Sequence, residues 1–322
     1  MKTIAVVGTG QLGSRHLQSL GKLDKDTILY AVDPNPETLH TAKKIYDQFR
    51  IDHSPELKLL TSLADLPQKI DLAIIACSSK ERLEVIKSLV SNVEKIQYLI
   101  LEKVLFPNLS DYEEADKIFQ SFGIQVWVNC NKRSNSTLFS DFEKLYEGEG
   151  SLKFEVSGSD WGLACNSIHF LDFFTSLTKN RELTLNGSLL DRNIFSAKRP
   201  GYIEFSGTLF GETSNGDEIR IEDRKGMNLP FTISLRTPKL NWIIDMRSDS
   251  YEIQDGSGLR QIPIQYQSQL TAVIANDLFA TGICRLPSFQ ENSYLHQKML
   301  TVLIQHLNVI GFKDPKVQCP IT

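Results

Sequence analysis

Over the first 128 residues, short runs dominated by apolar side chains alternate with stretches whose apolar positions recur at helical spacing. The runs are Ile4–Val7, Ile28–Val32, Ile70–Ala76, Tyr98–Glu102 and Ile124–Val128. The helical stretches carry Leu17 and Leu20, then cover about 37–49, 80–90 and 110–122. A strand that is apolar along its whole length is buried on both faces, as parallel strands are. This βαβ rhythm predicts a Rossmann-type, doubly wound parallel sheet. Near residue 130 the rhythm changes. A helix is predicted over 137–146, a strand over 152–157 and an apolar helix over 164–177. From about 183 to 264 the alternation has period two, as in Ile203–Leu209, Phe231–Leu235 and Leu240–Met246, which reads as antiparallel strands with one covered face. Two helices close the chain, one over about 269–281 and one with Leu295, Met299, Leu303 and Leu307 on a single stripe. The expected fold class is α/β: a Rossmann domain, residues 1–128, followed by an α+β domain, residues 129–322, with a large, mainly antiparallel sheet. The uncovered face of that sheet is the expected subunit contact of a homodimer or homotetramer.

Composition narrows the partners. The chain has 322 residues, long for one core, and is 41% hydrophobic and 23% charged, as soluble globular proteins are. Its net charge of −4 and lack of a basic block give no footprint for nucleic acid or an anionic membrane. No apolar run approaches the ~20 residues that span a bilayer, and the chain enters a strand at once, so no cleaved leader is expected. The five cysteines, Cys77, Cys130, Cys165, Cys284 and Cys319, are scattered and lack CxxC spacing. Reduced thiols in a cytoplasm are expected, with no metal site.

The strongest chemical signal is Gly8-Thr9-Gly10-Gln11-Leu12-Gly13, set between the first strand and the first helix. Gly8 permits the turn, Gly10 lets the backbone approach a pyrophosphate, and Gly13 lets helix pack close to strand. The helix N-terminus then offers free N–H groups and partial positive charge to the phosphates. Asp33 ends the second strand, twenty positions after Gly13, where a carboxylate accepts hydrogen bonds from the adenosine ribose and repels a 2′-phosphate. The plainer alternative is a glycine turn joining any strand to any helix. Strand, turn, helix and acid together favour a dinucleotide, NAD over NADP.

Ligands of doubly wound sheets lie beyond the carboxyl ends of the strands. Cys77 and Ser78 follow one such end and join the expected cofactor set. Glu102-Lys103 closes another, so Lys103 is a candidate for both cofactor and substrate. In the second domain Cys165, His169 and Asp172 fall at i, i+4 and i+7, which places them on one helical stripe. A hydrogen-bonded core histidine is the plain alternative for His169. Asn131, Lys132 and Arg133 at the crossover line a binding site or solvate a linker; Trp161 precedes the helix of His169 and Asn166 lies in its first turn. Substrate contacts are sought in these residues and in the loops around Arg192–Arg199, Arg236 and Tyr266.

These marks together resemble the Gfo/Idh/MocA oxidoreductases, the family of glucose–fructose oxidoreductase and inositol dehydrogenase. The resemblance runs over essentially the whole chain: the glycine turn through His16, Glu102-Lys103 where the family has Glu-Lys-Pro, Asn131-Lys132-Arg133, and His169-Phe-Leu-Asp172 where it has His-x-x-Asp. It implies hydride transfer between nicotinamide and a hydroxyl-bearing carbon of a sugar, cyclitol or nucleotide sugar. Lys103 is then the proton-transfer residue, its ammonium disfavoured by burial and by the nicotinamide charge. His169 contacts the reacting hydroxyl, Asp172 holds His169, and Glu102 positions the ribose or the lysine. The C-terminal Cys319-Pro-Ile-Thr322 is similar to endings of relatives from bacterial surface-polysaccharide clusters. Two departures stand out: Val104 replaces the proline, and Cys165 stands where many members carry an aspartate. The second departure keeps two other readings open, a non-catalytic NAD-binding regulator or partner subunit, and a reductase of a C=N or C=C bond.

Overall fold

The five apolar runs become strands of one parallel sheet. The computed structural model describes residues 1–132, 142, 146, 151–246, 250–256 and 258–322, so most of the helix expected over 137–146 lies outside the described residues. The sheet contains β1 (Lys2–Val7), β2 (Thr27–Val32), β3 (Glu56–Leu60), β4 (Lys69–Ile75), β5 (Lys95–Leu101) and β6 (Gln125–Val128), in the order β3-β2-β1-β4-β5-β6. Its helices are α1 (Gln11–Leu20), α2 (Pro36–Phe49), α3 (Ser79–Asn92) and α4 (Ser110–Phe122). β3 escaped the sequence pattern because it is an edge strand, half-exposed and carrying Glu56 and Lys58. The strand order reverses between β1 and β4, and the carboxyl ends of those strands open the crevice where this architecture takes ligands.

The chain divides into two compact units, and the first is not contiguous: it takes Met1–Phe106, Ser110–Asn129 and then Gln265–Gln290. The return is made by a helix of the second half, Gln267–Thr281. Its Leu270, Ile274 and Leu278 enter the same core cluster as Ile4, Leu17, Leu29 and Leu72. Its Ala272 N–H donates to Ser19 Oγ of α1 at 3.0 Å. Each such anchor contributes about 1.5–3 kcal/mol when taken from water, enough to bind the helix firmly to α1. A sequence pattern marks the helix as apolar but not which core it enters.

The second unit takes Pro107–Leu109, Cys130–Ile264 and Glu291–Thr322. It contains β7 (Lys153–Gly158), α5 (Leu163–Thr178), β8 (Leu183–Leu190), β9 (Phe195–Ser196), β10 (Ile203–Glu204), β11 (Gly207–Thr213), β12 (Glu218–Asp223), β13 (Thr232–Arg236), β14 (Asn241–Met246), β15 (Ser250–Asp255) and β16 (Gly258–Pro263). The helix Gln267–Thr281 of the first unit is α6, and α7 spans Phe289–Ile310. Eight strands form one sheet in the order β16-β15-β14-β13-β7-β12-β11-β8, antiparallel except for the β7–β12 pair. The inward residues of the alternation, Phe154 and Val156, Ile219 and Ile221, Ile233 and Leu235, are all buried. α5 covers that face, with Phe154 against Phe173 and Phe174. The outward residues pair as ions: Arg236–Glu155 at 3.6 Å, Arg220–Glu222 at 2.8 Å and Lys153–Glu218 at 3.6 Å. On these central strands the open face is therefore more polar than the half-apolar surface the sequence suggests.

The expected strand Ile203–Leu209 is broken. Among the described residues β10 pairs only with β9, and β11 starts anew at Gly207. Ser206 turns to Asp191, with Oγ donating to Oδ2 at 2.7 Å, and Glu204 turns to the head of α5. Among the described residues no helix is long and apolar enough to cross a membrane.

Candidate active site

Each glycine of the opening turn has a steric reason. Gly8 has φ +85°, and a Cβ there would lie 2.6 Å from the Cys77 backbone nitrogen. A Cβ on Gly13 would lie 2.0 Å from the Gly8 carbonyl oxygen, so only glycine lets α1 pass so near the turn. Gly10 is the opposite case: a Cβ would meet nothing within 4 Å, which leaves its outer side open to an approaching ligand. α1 begins at Gly10 with no capping side chain and no acid in its first turn among the described residues. Its first N–H groups are thus left for an anion. Asp33 Oδ2 accepts the Thr9 N–H at 2.8 Å and the Thr9 hydroxyl at 3.3 Å, while Oδ1 accepts the Asn35 N–H at 3.0 Å. A carboxylate has roughly four lone-pair sites, so the bracing leaves room for ribose hydroxyls. Gln11 is exposed, and Leu12, Cys77 and Ser78 are half-buried around this turn. A dinucleotide fits these residues.

At the end of β5, Glu102 is turned inward, only 3% exposed. Its Oε1 is bonded to His16 Nε2 at 2.8 Å and accepts from Asn129 Nδ2. His16 Nδ1 meets Thr271 Oγ1 at 2.9 Å, and Asn129 Nδ2 also donates to Gln267 Oε1 at 2.9 Å. Burial alone would raise the Glu102 carboxyl. The His16 bond and charge, the Asn129 amide and the Lys103 charge outweigh burial and hold it below the ordinary carboxylate range. Lys103 itself is half-buried at the head of a loop whose next three residues, Val104, Leu105 and Phe106, are wholly buried. The Lys103–Val104 peptide bond is cis. Sequence reasoning missed His16, Asn129, Gln267 and Thr271 as partners, because the bonds join positions as much as 255 apart.

In the second unit the head of α5 is capped by two distant carboxyls. Asp223 Oδ2 accepts the Gly162 N–H at 2.9 Å, and Glu204 accepts the N–H groups of Ala164 at 2.9 Å and Cys165 at 3.2 Å. Burial pushes Glu204 above the ordinary range, against the pull of the Cys165 thiol and the N–H groups of Ala164, Cys165 and Phe205. Burial raises Asp223 likewise, against the N–H groups of Gly162, Asp160, Trp161 and Leu163. The turn that lacks an acid at Cys165 thus receives one from Glu204, 39 positions away. Cys165, Asn166 and His169 are the half-buried positions of the first turns of α5. Asp172 is fully buried and accepts from Asn292 Nδ2 at 3.2 Å.

The remaining candidates are anchored locally. The Trp161 indole N–H donates to the Glu222 carbonyl at 3.0 Å, and its ring meets Phe170 and Phe231 edge-on. Asn166 Nδ2 donates to the Trp161 carbonyl at 2.7 Å. Asn131 is half-buried; its neighbour Lys132 donates to the Tyr251 hydroxyl at 2.9 Å and lies over the Phe170 ring. Arg133 lies outside the described residues. Among the described residues no cluster of His, Cys, Asp and Glu is arranged to hold a metal ion.

Residues 2–130 match the profile of a family described as an oxidoreductase family with an NAD-binding Rossmann fold, GFO_IDH_MocA. No curated protein matches the sequence. Solved structures share the fold over nearly the full length. Levoglucosan dehydrogenase, in complex with NADH and L-sorbose, aligns at TM-score 0.70 and 14% identity over 96% of this chain and 97% of its own. The UDP-N-acetylglucosamine 3-dehydrogenase of Acidithiobacillus ferrooxidans aligns at 0.67 and 13% over 94% and 96%. An oxidoreductase of Agrobacterium radiobacter in complex with NAD+, L-tartaric acid and magnesium aligns at 0.63 and 15% over 94% of each.

Proposed function

Because residues 2–130 match the profile of the Gfo/Idh/MocA oxidoreductases, described as having an NAD-binding Rossmann fold, we propose that the protein is an NAD-dependent dehydrogenase acting on a hydroxyl-bearing carbon of a sugar, cyclitol or nucleotide sugar. The observation that carries the proposal is the opening turn: Gly10 open on its outer side, α1 uncapped, and Asp33 fixed against Thr9. The substrate class rests on the levoglucosan and UDP-N-acetylglucosamine dehydrogenases that share the fold. A place in surface-polysaccharide biosynthesis is the finer reading, supported by the C-terminal Cys319-Pro-Ile-Thr322 and the nucleotide-sugar relative.

When bound, NAD supplies the hydride acceptor. The chain does the rest. The N–H groups at the head of α1 hold the pyrophosphate, with Gly8 to Gly13 shaping the approach. Asp33 accepts from the ribose hydroxyls and rejects a 2′-phosphate. Cys77, Ser78 and the Glu102–Lys103 corner belong to the nicotinamide end. In the oxidising direction Lys103 receives the hydroxyl proton, and His169 orients that hydroxyl by a hydrogen bond. Asp172, buried one turn on from His169, is a positioning residue, and Asn131, Arg133, Trp161 and Asn166 are assigned to substrate. Glu204 supplies a carboxyl at the Cys165 turn, which argues against the non-catalytic reading.

The test is turnover of NAD against a panel of sugars, cyclitols and nucleotide sugars. Lys103→Ala should lower kcat by on the order of 10²–10⁴-fold while NADH titration stays near wild type. Full turnover without Lys103 would end its assignment; an unreactive panel would end the substrate class.

A further inference from the structure

Arg82 lies in the first turn of α3 and is only 1% exposed. Arginine is almost never buried so completely unless its charge is put to use, and a cation in the first helical turn opposes the helix dipole. Neither packing nor the helix explains it. Its hydrogen bonds do. Nη1 donates to the carbonyls of Val104 and Leu105, the latter at 2.7 Å, and Nη2 donates to the Cys77 carbonyl at 2.6 Å. Val104 and Leu105 follow Lys103 directly and are fully buried. Their carbonyls lie beyond the last β5–β4 pair, Leu101–Ile75, so the sheet ladder does not serve them. Cys77, on the other side, is the residue whose backbone nitrogen and Cα crowd Gly8, at 2.6 and 2.9 Å from the place of a Cβ. One planar guanidinium therefore joins the strand end packed on the glycine turn to the loop that begins at Lys103.

We infer that Arg82 is a positioning residue which sets where Lys103 stands relative to the cofactor turn. The inference rests on the reading of Lys103 as the proton-transfer residue. Only a forked donor set serves three carbonyls from two loops at once; lysine brings a point charge on a shorter reach, and glutamine at most two donors.

The experiment uses the full chain, reductively methylated with ¹³C-formaldehyde, and reads the dimethyl-Lys103 NMR signal, identified as the one missing from Lys103→Arg. NADH is the probe for the cofactor turn. Arg82→Gln should move or broaden the Lys103 signal while the NADH Kd stays within about threefold of wild type. Arg82→Lys should give a smaller displacement in the same direction. With a turned-over panel substrate, kcat for Arg82→Gln should fall by up to on the order of 10²-fold with little change in KM for NAD. An unmoved Lys103 signal in Arg82→Gln overturns the inference; if that variant does not fold, an unmoved signal in Arg82→Lys does so. Loss of NADH binding in step with the Lys103 signal also overturns it, since Arg82 would then support the whole turn. Failure of the Lys103 assignment itself is read separately, from the turnover of Lys103→Ala.

Discussion

Glu102, buried in the first unit, and Glu204, half-buried in the second, each lie beside a candidate reactive residue, and their electrostatics run in opposite directions. Glu102 precedes Lys103 and has an imidazole, an amide and an ammonium around it, so its charged form is favoured. Glu204 meets the Cys165 turn, one turn before His169, and among the described residues has N–H groups and a thiol as its partners, so burial prevails. The first unit neutralises charge with opposite charge. The second uses backbone dipoles at a helix head. The cofactor turn is likewise set by backbone against backbone, whereas the head of α5 is set by movable side-chain tips.

Gly13→Ala and Gly162→Ala test that contrast with the largest effect. The Gly13 Cβ would sit 2.0 Å from a carbonyl oxygen, so α1 must shift bodily. Destabilisation on the order of 3 kcal/mol or more, with a loss of NADH affinity of about 10²-fold, is expected from melts and fluorescence titration. Gly162, at φ +84°, would meet Glu204 Oε1 at 3.0 Å and the tips of Asn166 and Cys165 at 3.3 Å. Those tips can move, so Gly162→Ala should cost about 1–2 kcal/mol, mostly backbone strain, and leave NADH binding unchanged. Equal losses in the two variants would show that the head of α5 is as rigid as the turn.

Asp33→Ser comes next. Removing the carboxylate should narrow the NAD-over-NADP preference by about 10–100-fold, read as the ratio of the two Kd values. An unchanged ratio would mean that Asp33 serves only to brace Thr9.

The contrast also shows what the sequence could carry. The parallel strands, the glycine turn and Asp33 were legible because each depends on a short local pattern: an apolar run, a steric need, an acid at a fixed spacing. Glu102 and Lys103 were legible as a strand end. The partners of Glu102 were not, since His16 and Asn129 reach it from 86 and 27 positions away, and Thr271 reaches His16 only after α6 has folded back onto α1. Glu204 was hidden more deeply. Period-two alternation placed it inside a continuous strand, whereas the chain breaks there to cap α5. Nothing in the helix pattern singles out Arg82, and its three carbonyls come from loops that the pattern does not see.

The two carboxyls predict pH slopes of opposite sign. The folded-state value of Glu102 is lowered, so its contribution is present above the unfolded value near 4.3 and is lost as pH falls through the folded value. Glu204 is raised, so its contribution is complete below about 4.3 and is lost as pH rises through the folded value. Melts from about pH 3 to 8 should therefore show wild type losing its advantage over Glu102→Gln on acidification, and over Glu204→Gln on alkalinisation. Parallel profiles would erase the distinction between the units.

The smallest effect belongs to the open sheet face. Arg236 and Glu155 are 3.6 Å apart with side chains 51% and 42% exposed, a pair in high dielectric. Such pairs are worth about 0–1 kcal/mol, because Coulomb attraction is screened and two long side chains lose rotamer freedom. Arg236→Glu with Glu155→Arg should leave the melting temperature of an isolated protomer almost unchanged. If the homo-oligomer expected from the sequence uses this face, the reversed pattern meets an identical reversed pattern across a two-fold axis, and internal pairs survive. The single change Arg236→Glu is then the sharper probe, since it sets like charges together twice per interface. Light scattering should show the assembly dissociating with folding intact; an unaltered mass would place the subunit contact elsewhere.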